Sequence, residues 1–253
     1  MMGKIRKILT SPRVTLGAFV LAAGLLLFSS IGGARAALAY YSENYVSRVA
    51  MQNIGVTLVE NGQAIASRDY GSEADGQWEG TGTGVLLGNM LAEGETVKPG
   101  KTYPEELRVQ NTGDINQYVR VSIYKYWLDK DGNKVPELSP DLIELHLTNI
   151  GSDWLEDTEA KTEERTVLYY SRVLGDGATS TPFADTLTIN KLIATKVRQE
   201  TEGNTIKTVY AYDGTEFCVE ARVDAVQDHN GEEAIWSAWG RRVSIGNGTL
   251  ALS

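Results

Sequence analysis

Apolar and polar residues alternate along several stretches of this chain, most clearly near its C-terminal end. There, every second residue is apolar: Phe217, Val219, Ala221, Val223 and Ala225. The residues between them are a cysteine and three charged residues. Because successive side chains of a β-strand point to opposite faces, this period of two predicts a strand with one face in a core and the other in water.

The same alternation recurs at short intervals and predicts an all-β fold. Val119, Val121 and Ile123 alternate with polar residues ahead of the turn 129–133, whose Asp-Gly pair suits a hairpin. Short strands separated by Gly, Asn and Asp turns favour an antiparallel, jelly-roll-like β-sandwich. Helical periodicity is weak, so we expect only short helices in loops, around residues 42–52 and 192–199. Other candidate strands span residues 54–59, 106–110, 143–147, 166–170, 186–189, 205–212 and 242–245.

The N-terminal stretch has the three parts of a secretory signal peptide. A basic head with no acidic residue is followed by an uncharged, mostly apolar run over residues 14–31. Small residues then provide A-x-A sequences, which a signal peptidase needs because its pocket admits only small side chains. We therefore expect a signal helix that is removed by cleavage before Tyr40, with a cleavage region formed by Ala36, Ala37 and Ala39.

The alternative for this stretch is an uncleaved membrane anchor, because 18 uncharged residues can just span a bilayer. Its threonine, glycines and serines make the run less apolar than an anchor, which favours the signal peptide. We divide the chain into a signal peptide (1–36), an N-terminal segment with the first strand (37–60) and one β-sandwich domain (61–253). Removal of residues 1–36 takes away five basic residues and no acidic ones, which leaves 19 basic and 33 acidic residues and a net charge of −14.

Charge and the scarcity of reactive side chains argue against several function classes. A net charge of −9 for the whole chain disfavours binding to nucleic acid. The single Cys218 cannot form an intramolecular disulfide, and two histidines, His146 and His229, leave few options for a zinc site or a catalytic triad. The sequence contains no HExxH, GxSxG or CxxC motif. We therefore predict a protein that is not an enzyme, with no catalytic residue, no cofactor and no metal site.

Three features resemble ligand sites but have simpler interpretations. Residues 129–133 begin like a calcium loop, but their glycine is in the fourth position and Pro140 stands in place of the final Glu, so a hairpin turn fits better. The acidic run 156–164 could bind cations, although clustered carboxylates on a loop are most often solvated. Trp236 and Trp239 could stack on a sugar, but in a strand their spacing puts them on opposite faces, so we expect at least one in the core.

Several sequence blocks, in their order along the chain, resemble those of the exported TasA/camelysin family. The first are AYYSE at 39–43, just after the cleavage region, and NIGVTL at 53–58. The most recognisable are VKPG at 97–100, VQNTG at 109–113 and YVRV at 118–121. Further similar positions are Trp154, residues 169–170, 173–174 and 179–183, residues 225–227, Ala234 and residues 239–240.

This resemblance implies a jelly-roll sandwich that a Gram-positive bacterium secretes after cleavage by a signal peptidase of the SipW type. Members assemble into extracellular fibres of the biofilm matrix through an N-terminal segment that inserts into the next subunit. The implied partners are further copies of this chain and, in addition, other matrix proteins or polysaccharide. Some members are labelled metalloproteases, which this sequence does not support because it has no HExxH motif. The candidate donor segment contains Tyr40, Tyr41, Tyr45, Val46 and Val49.

The alternative function is a secreted or surface-associated carbohydrate-binding or adhesin module. The same sandwich with aromatic side chains in a cleft would bind sugars as a monomer. Concentration-dependent fibres favour the structural role, whereas saturable binding of a glycan by a monomer favours the module.

Overall fold

A computed structural model describes most of the chain after residue 52. The chain divides into two compact units, Met1–Ala50 and Met51–Ser253. In the first unit, the described residues are helical and exposed. Among all described residues, no helix has both the length and the apolarity needed to cross a bilayer. The described residues are 16–17, 19–23, 53–70, 78–82, 86–202 and 205–253.

The second unit is built from antiparallel strands, which confirms the prediction of an all-β sandwich. Two short 3-10 helices span Pro140–Leu142 and Lys191–Thr195. The other elements are β1 (Gly55–Glu60), β2 (Gln63–Tyr70), β3 (Trp78–Gly82), β4 (Thr102–Asn111), β5 (Gln117–Leu128), β6 (Ile143–Leu147), β7 (Trp154–Glu156), β8 (Arg165–Tyr170), β9 (Ala184–Ile189), β10 (Val197–Glu202), β11 (Thr205–Tyr210), β12 (Glu216–Gln227), α1 (Gly231–Trp239), β13 (Val243–Gly246) and β14 (Thr249–Leu252).

Two sheets of unequal width form the sandwich. Sheet A has six strands in the order β3-β2-β1-β4-β9-β6, and sheet B has four in the order β12-β5-β8-β7. The chain passes repeatedly from one sheet to the other, as in a jelly roll. The pairs β10–β11 and β13–β14 form separate two-stranded hairpins. The first strand, β1, lies inside sheet A and pairs with β2 on one side and β4 on the other.

The core lies between the two sheets, where the alternating apolar residues meet. β5 and β12 pair over all twelve residues of each strand, so their apolar positions fall on the same face. Trp154 is fully buried and packs its indole against the rings of Tyr170 and Phe183, at centroid distances of 5.1 and 5.4 Å. Burial of such large side chains is the main source of stability in a sandwich of this size. Both sheets contribute to this core, which includes Val56, Leu58, Leu107, Val109, Val119, Val121, Leu168, Leu187 and Val223.

The helix α1 and the hairpin β13–β14 cover part of the outer face of sheet B. The strand interpretation of the two tryptophans is wrong, because Trp236 and Trp239 both lie on α1. The first residue of this helix is a glycine, Gly231, because a Cβ there would lie 2.7 Å from the Tyr118 ring. The residues buried beneath the cover come from sheet B, α1 and the hairpin, namely Tyr118, Val167, Tyr169, Val226, Ile235, Val243 and Leu250.

The helix expected around residues 192–199 is only partly present. A 3-10 helix covers Lys191–Thr195, and the side chain of Asn190 caps it by accepting a hydrogen bond from Leu192 N at 2.8 Å. Strand β10 then begins at Val197, because Thr195 and Val197 are β-branched and favour extended backbone. The helix expected at 42–52 lies outside the described residues.

Two glutamates on the inner face of sheet A are buried together. Glu60 on β1 is 3% exposed and Glu105 on β4 is fully buried. Glu60 accepts a hydrogen bond from Leu87 N at its Oε1 (2.5 Å). Burial, together with the neighbouring Glu60 carboxyl, raises the pKa of Glu105 from 4.5 to about 8. Glu105 is therefore protonated in the folded protein at neutral pH.

Because the pKa of Glu105 is raised in the folded protein, we predict that the protein loses stability as the pH rises. Between pH 4.5 and about 8, the folded chain holds a proton on Glu105 that the unfolded chain has released. We expect the free energy of unfolding to fall by roughly 1–3 kcal/mol across this window. Glu105→Gln should remove the fall, since an amide does not titrate, and urea unfolding followed over a pH series measures it. An unchanged pH slope in Glu105→Gln would contradict the assignment.

Candidate functional site

Sheet B has edges at β12 and at the three-residue β7, and the long edge at β12 is a candidate functional surface. Sheet A is two strands wider than sheet B, and β12 packs opposite β1. The strands β2 and β3 of sheet A therefore extend beyond the end of sheet B. One further strand placed beside β12 would lie opposite them. An unpaired edge of this kind accepts a strand from another chain unless it is blocked.

The hydrogen-bonding groups of β12 alternate between β5 and the free edge. Arg68 donates from Nη1 to the Val223 carbonyl oxygen at 3.4 Å, which places the carbonyl of Val223 on the free edge. Because main-chain groups alternate sides along an antiparallel strand, those of Phe217, Val219 and Ala221 point to the same edge. Among the described residues, no main-chain group pairs with them. Within the described part of the chain, the edge from Phe217 to Ala221 is therefore unpaired.

An apolar groove runs beside this edge, between the two sheets. It has a volume of about 330 Å³. Val219 and Ala221 form one wall, and Leu58, Ile65 and Ala66 form the other. Leu86 and two charged residues of β12, Glu220 and Arg222, complete the lining. A register shift in the β1–β2 pairing at Leu58/Val59 lets the consecutive residues Ile65 and Ala66 both face the groove. The groove can therefore take the apolar side chains of a strand that pairs with β12.

A charged contact limits the groove at one end. Arg68 on β2 reaches past the edge of β12 and forms an ion pair with Asp224 on the outer face of sheet B. Arg120 pairs with the same carboxylate, with 2.8 Å between its Nη2 and Asp224 Oδ2. Asp224 is only 7% exposed, so this contact holds Arg68 across the edge at Val223. The contact closes this end of the groove.

The sequence-predicted residues are only partly within the described chain. Cys218 lies on the outer face of β12, and burial, with smaller contributions from Glu216 and Glu220, raises its thiol pKa. Sequence reasoning predicted the strand β12 but missed its free edge, because alternation does not reveal which strands pair. The cleavage residues Ala36, Ala37 and Ala39 and the candidate donor residues Tyr40, Tyr41, Tyr45, Val46 and Val49 lie outside the described residues.

The motifs that resemble ligand sites have structural roles. Asp129 Oδ1 accepts hydrogen bonds from the main-chain N atoms of Asp131 and Asn133, both at 2.8 Å, which closes the turn after β5. Ser122 and Lys125 have the spacing of an S-x-x-K motif, but they lie on opposite faces of β5, and Lys125 Nζ donates to the Ile143 carbonyl oxygen (2.8 Å).

The acidic run 156–164 is largely ion-paired rather than arranged around a cation. Glu156 pairs with Lys161 at 2.7 Å, and Glu164 pairs with Lys134. Within the described ranges, no group of three or more His, Cys, Asp or Glu side chains is placed to hold a metal ion. Asp157 and Glu159 both pair with Arg241, so four of the five carboxylates in the run have a basic partner.

No protein-family model, curated protein or solved structure matches the chain. The functional interpretation therefore depends on two independent features. One is the set of sequence blocks that, in their order along the chain, resemble those of the TasA/camelysin family. The other is the edge of β12 with the apolar groove beside it.

Proposed function

We propose that this protein is a secreted, non-enzymatic structural subunit that assembles into extracellular fibres of a bacterial biofilm matrix by strand donation. The free edge of β12, with the apolar groove beside it, carries this proposal. An edge strand that faces an unfilled groove is the acceptor that strand addition requires. The order of the sequence blocks supports the same function through their resemblance to the TasA/camelysin family.

A donated strand would use both parts of this site. Its main chain would hydrogen-bond to the outward groups of Val219 and Ala221, which supplies affinity without regard to sequence. Every second side chain would enter the groove and contact Leu58 and Ile65, which supplies register. Burial of apolar surface in the groove then stabilises the joint between subunits.

The donor in this proposal is the segment 40–49, YYSENYVSRV. In an extended chain, Tyr41, Tyr45 and Val49 lie on one face, because side chains two and four positions apart share a face. Before cleavage by a SipW-type signal peptidase, the segment is tethered to the signal peptide and cannot be donated. The net charge of −14 after cleavage keeps free subunits apart until salt screens it.

Electron microscopy of the purified protein beginning at Ala37, over a series of concentrations and pH values, tests this function. We expect fibres whose amount rises with protein concentration, since each joint is a bimolecular association. Analytical ultracentrifugation should show monomers at low concentration and long oligomers at high concentration. A protein that stays monomeric throughout, and binds a glycan saturably, would contradict the structural role and support the adhesin module instead.

A further inference from the structure

In addition to the groove, the outer face of sheet B has a cleft. It lies beside the part of that face that α1 and the β13–β14 hairpin cover. Its volume is about 380 Å³, within the range of about 300–1,000 Å³ that small-molecule sites occupy. Ser122 and Tyr124 of β5 and Val167 of β8 form its floor. Trp239 and Arg241 form one wall. The cleft and the groove lie on opposite sides of β12 and share one lining residue, Arg222.

The cleft concentrates positive charge in a chain that is acidic overall. The whole chain carries a net charge of −9, yet the lining has four arginines and three carboxylates, an excess of one positive charge. Guanidinium groups match planar carboxylates with paired hydrogen bonds. The arginines are Arg120, Arg165, Arg222 and Arg241, and the carboxylates are those of Asp157, Glu159 and Asp224.

The three carboxylates are already engaged by arginines. Asp224 contacts Arg120 and, at 3.4 Å, Arg222, in addition to Arg68. Arg241 forms ion pairs with the other two carboxylates. Its Nε lies 3.1 Å from Asp157 Oδ2, and its Nη1 lies 2.6 Å from Glu159 Oε2. The resident acids therefore leave the charge of the remaining arginine without a counter-ion.

That remaining arginine is Arg165, which lies beside the hydroxyl groups of Ser122 and Tyr124 in the floor of the cleft. Its Nε and Nη2 both donate to the Ala160 carbonyl oxygen, at 3.0 and 2.7 Å, so its only partner in the described residues is neutral. The side chain of Arg222 is 60% exposed. Ser122 is only 6% exposed, and its hydroxyl has no hydrogen-bond partner in the described part of the chain. Because Ser122 lines the cleft, its hydroxyl can donate to or accept from a polar ligand there.

We propose that this cleft binds the carboxylate group of an acidic sugar unit in a polysaccharide. Arg165 and Arg222 would hold the carboxylate, and the hydroxyls of Ser122 and Tyr124 would meet the hydroxyls of the sugar ring. An excess of one positive charge suits a monoanionic carboxylate better than a dianionic phosphate. Arg222 lines both the cleft and the groove, whereas Arg165 lines only the cleft and Val219 and Ala221 line only the groove, so Arg165→Gln and Ala221→Lys test the two sites separately.

An acidic segment from a second copy of the chain fits this cleft less well. The densest acidic run, residues 156–164, already forms a wall of the cleft. Its Glu156 and Glu159 are held by Lys161 and Arg241. This run is therefore not available to fill the cleft of a neighbour.

Calorimetric titration of the purified protein with trigalacturonate, and with its neutral methyl ester, tests the proposal. We expect saturable binding of the acid, and binding of the ester weaker by about tenfold or more, since the ester lacks the charge that the arginines contact. Arg165→Gln and the more exposed Arg222→Gln should each weaken binding of the acid by about tenfold. Arg108→Gln is the matched control, because Arg108 lies on sheet A and pairs with Glu106. Circular dichroism verifies that each variant is folded.

Three results would overturn the proposal. They are equal binding of the acid and its ester, unchanged binding in both arginine variants, and tighter binding of a triglutamate peptide than of trigalacturonate. The last result would assign the cleft to an acidic protein segment. Ala221→Lys should leave binding of trigalacturonate intact, which separates failure at this cleft from failure of strand donation.

Discussion

The chain that begins at Ala50 instead of Ala37 should fold to a β-rich monomer and form no fibres. This truncation removes the candidate donor segment, and it leaves every strand of the sandwich intact because β1 begins at Gly55. The free edge of β12 is still present but has no strand to accept. Circular dichroism and thermal unfolding should match those of the longer chain, while electron microscopy and sedimentation velocity detect only monomers.

A peptide of residues 40–49 provides the complementary test. Added in excess to the chain that begins at Ala37, it should occupy the free edge and convert fibres into short oligomers, because the peptide has no edge of its own to offer. A peptide of the same composition in scrambled order is the control, and it should leave the fibres unchanged. Polymerisation of the truncated chain at the same concentration as the longer chain would show that the joint lies elsewhere on the sandwich.

Ala221→Lys should abolish fibres from the acceptor side. The main-chain groups of Ala221 point to the free edge and its side chain lines the groove, so an added strand would have to bury an ammonium group between the sheets. We expect the concentration needed for assembly to rise about 100-fold or more, equivalent to about 2.7 kcal/mol. The monomer should still fold, because Ala221 is only partly buried and the lysine can extend into solvent.

Gln227→Lys is the matched control for this substitution. It introduces the same charge on the same strand, at an exposed position beyond the groove. We expect its fibres to form at the concentration at which the unsubstituted protein assembles. Sedimentation velocity and electron microscopy over a concentration series compare the two variants. Equal assembly by Ala221→Lys and Gln227→Lys would rule out the edge of β12 as the acceptor.

Alternation in the sequence predicted nine of the fourteen strands in the described part of the chain. It did not predict β2, β3, β7, β10 or β14; β7 is only three residues long, and the start of β10 was assigned to a helix. Residues 217–225 fall within β12, and 143–147 match β6. The helix α1 was missed because it is short and begins at a glycine, which has low helix propensity. Its position depends on the close fit of Gly231 against Tyr118, a tertiary contact that no local pattern encodes.

The candidate site was harder to predict than the strands. The groove joins residues of β12 to residues of β1 and β2 that lie more than 150 positions earlier in the sequence. Strand order decides that β12 ends its sheet, and local periodicity contains no information about order. Glu60 and Glu105 appear in the sequence as ordinary charged residues, and only the pairing of β1 with β4 brings both into the interior.

The unequal width of the two sheets has a consequence for any polymer built on it. A subunit that receives a strand at β12 uses one surface to receive and a different segment to give, so the contact is head-to-tail rather than symmetric. Such contacts do not close on themselves unless the rotation between subunits happens to form a ring. Every filament then has two chemically distinct ends. At one end the edge of β12 has received no strand, and at the other end the donor segment has not been inserted. Length could therefore be controlled by a terminator that recognises one end alone.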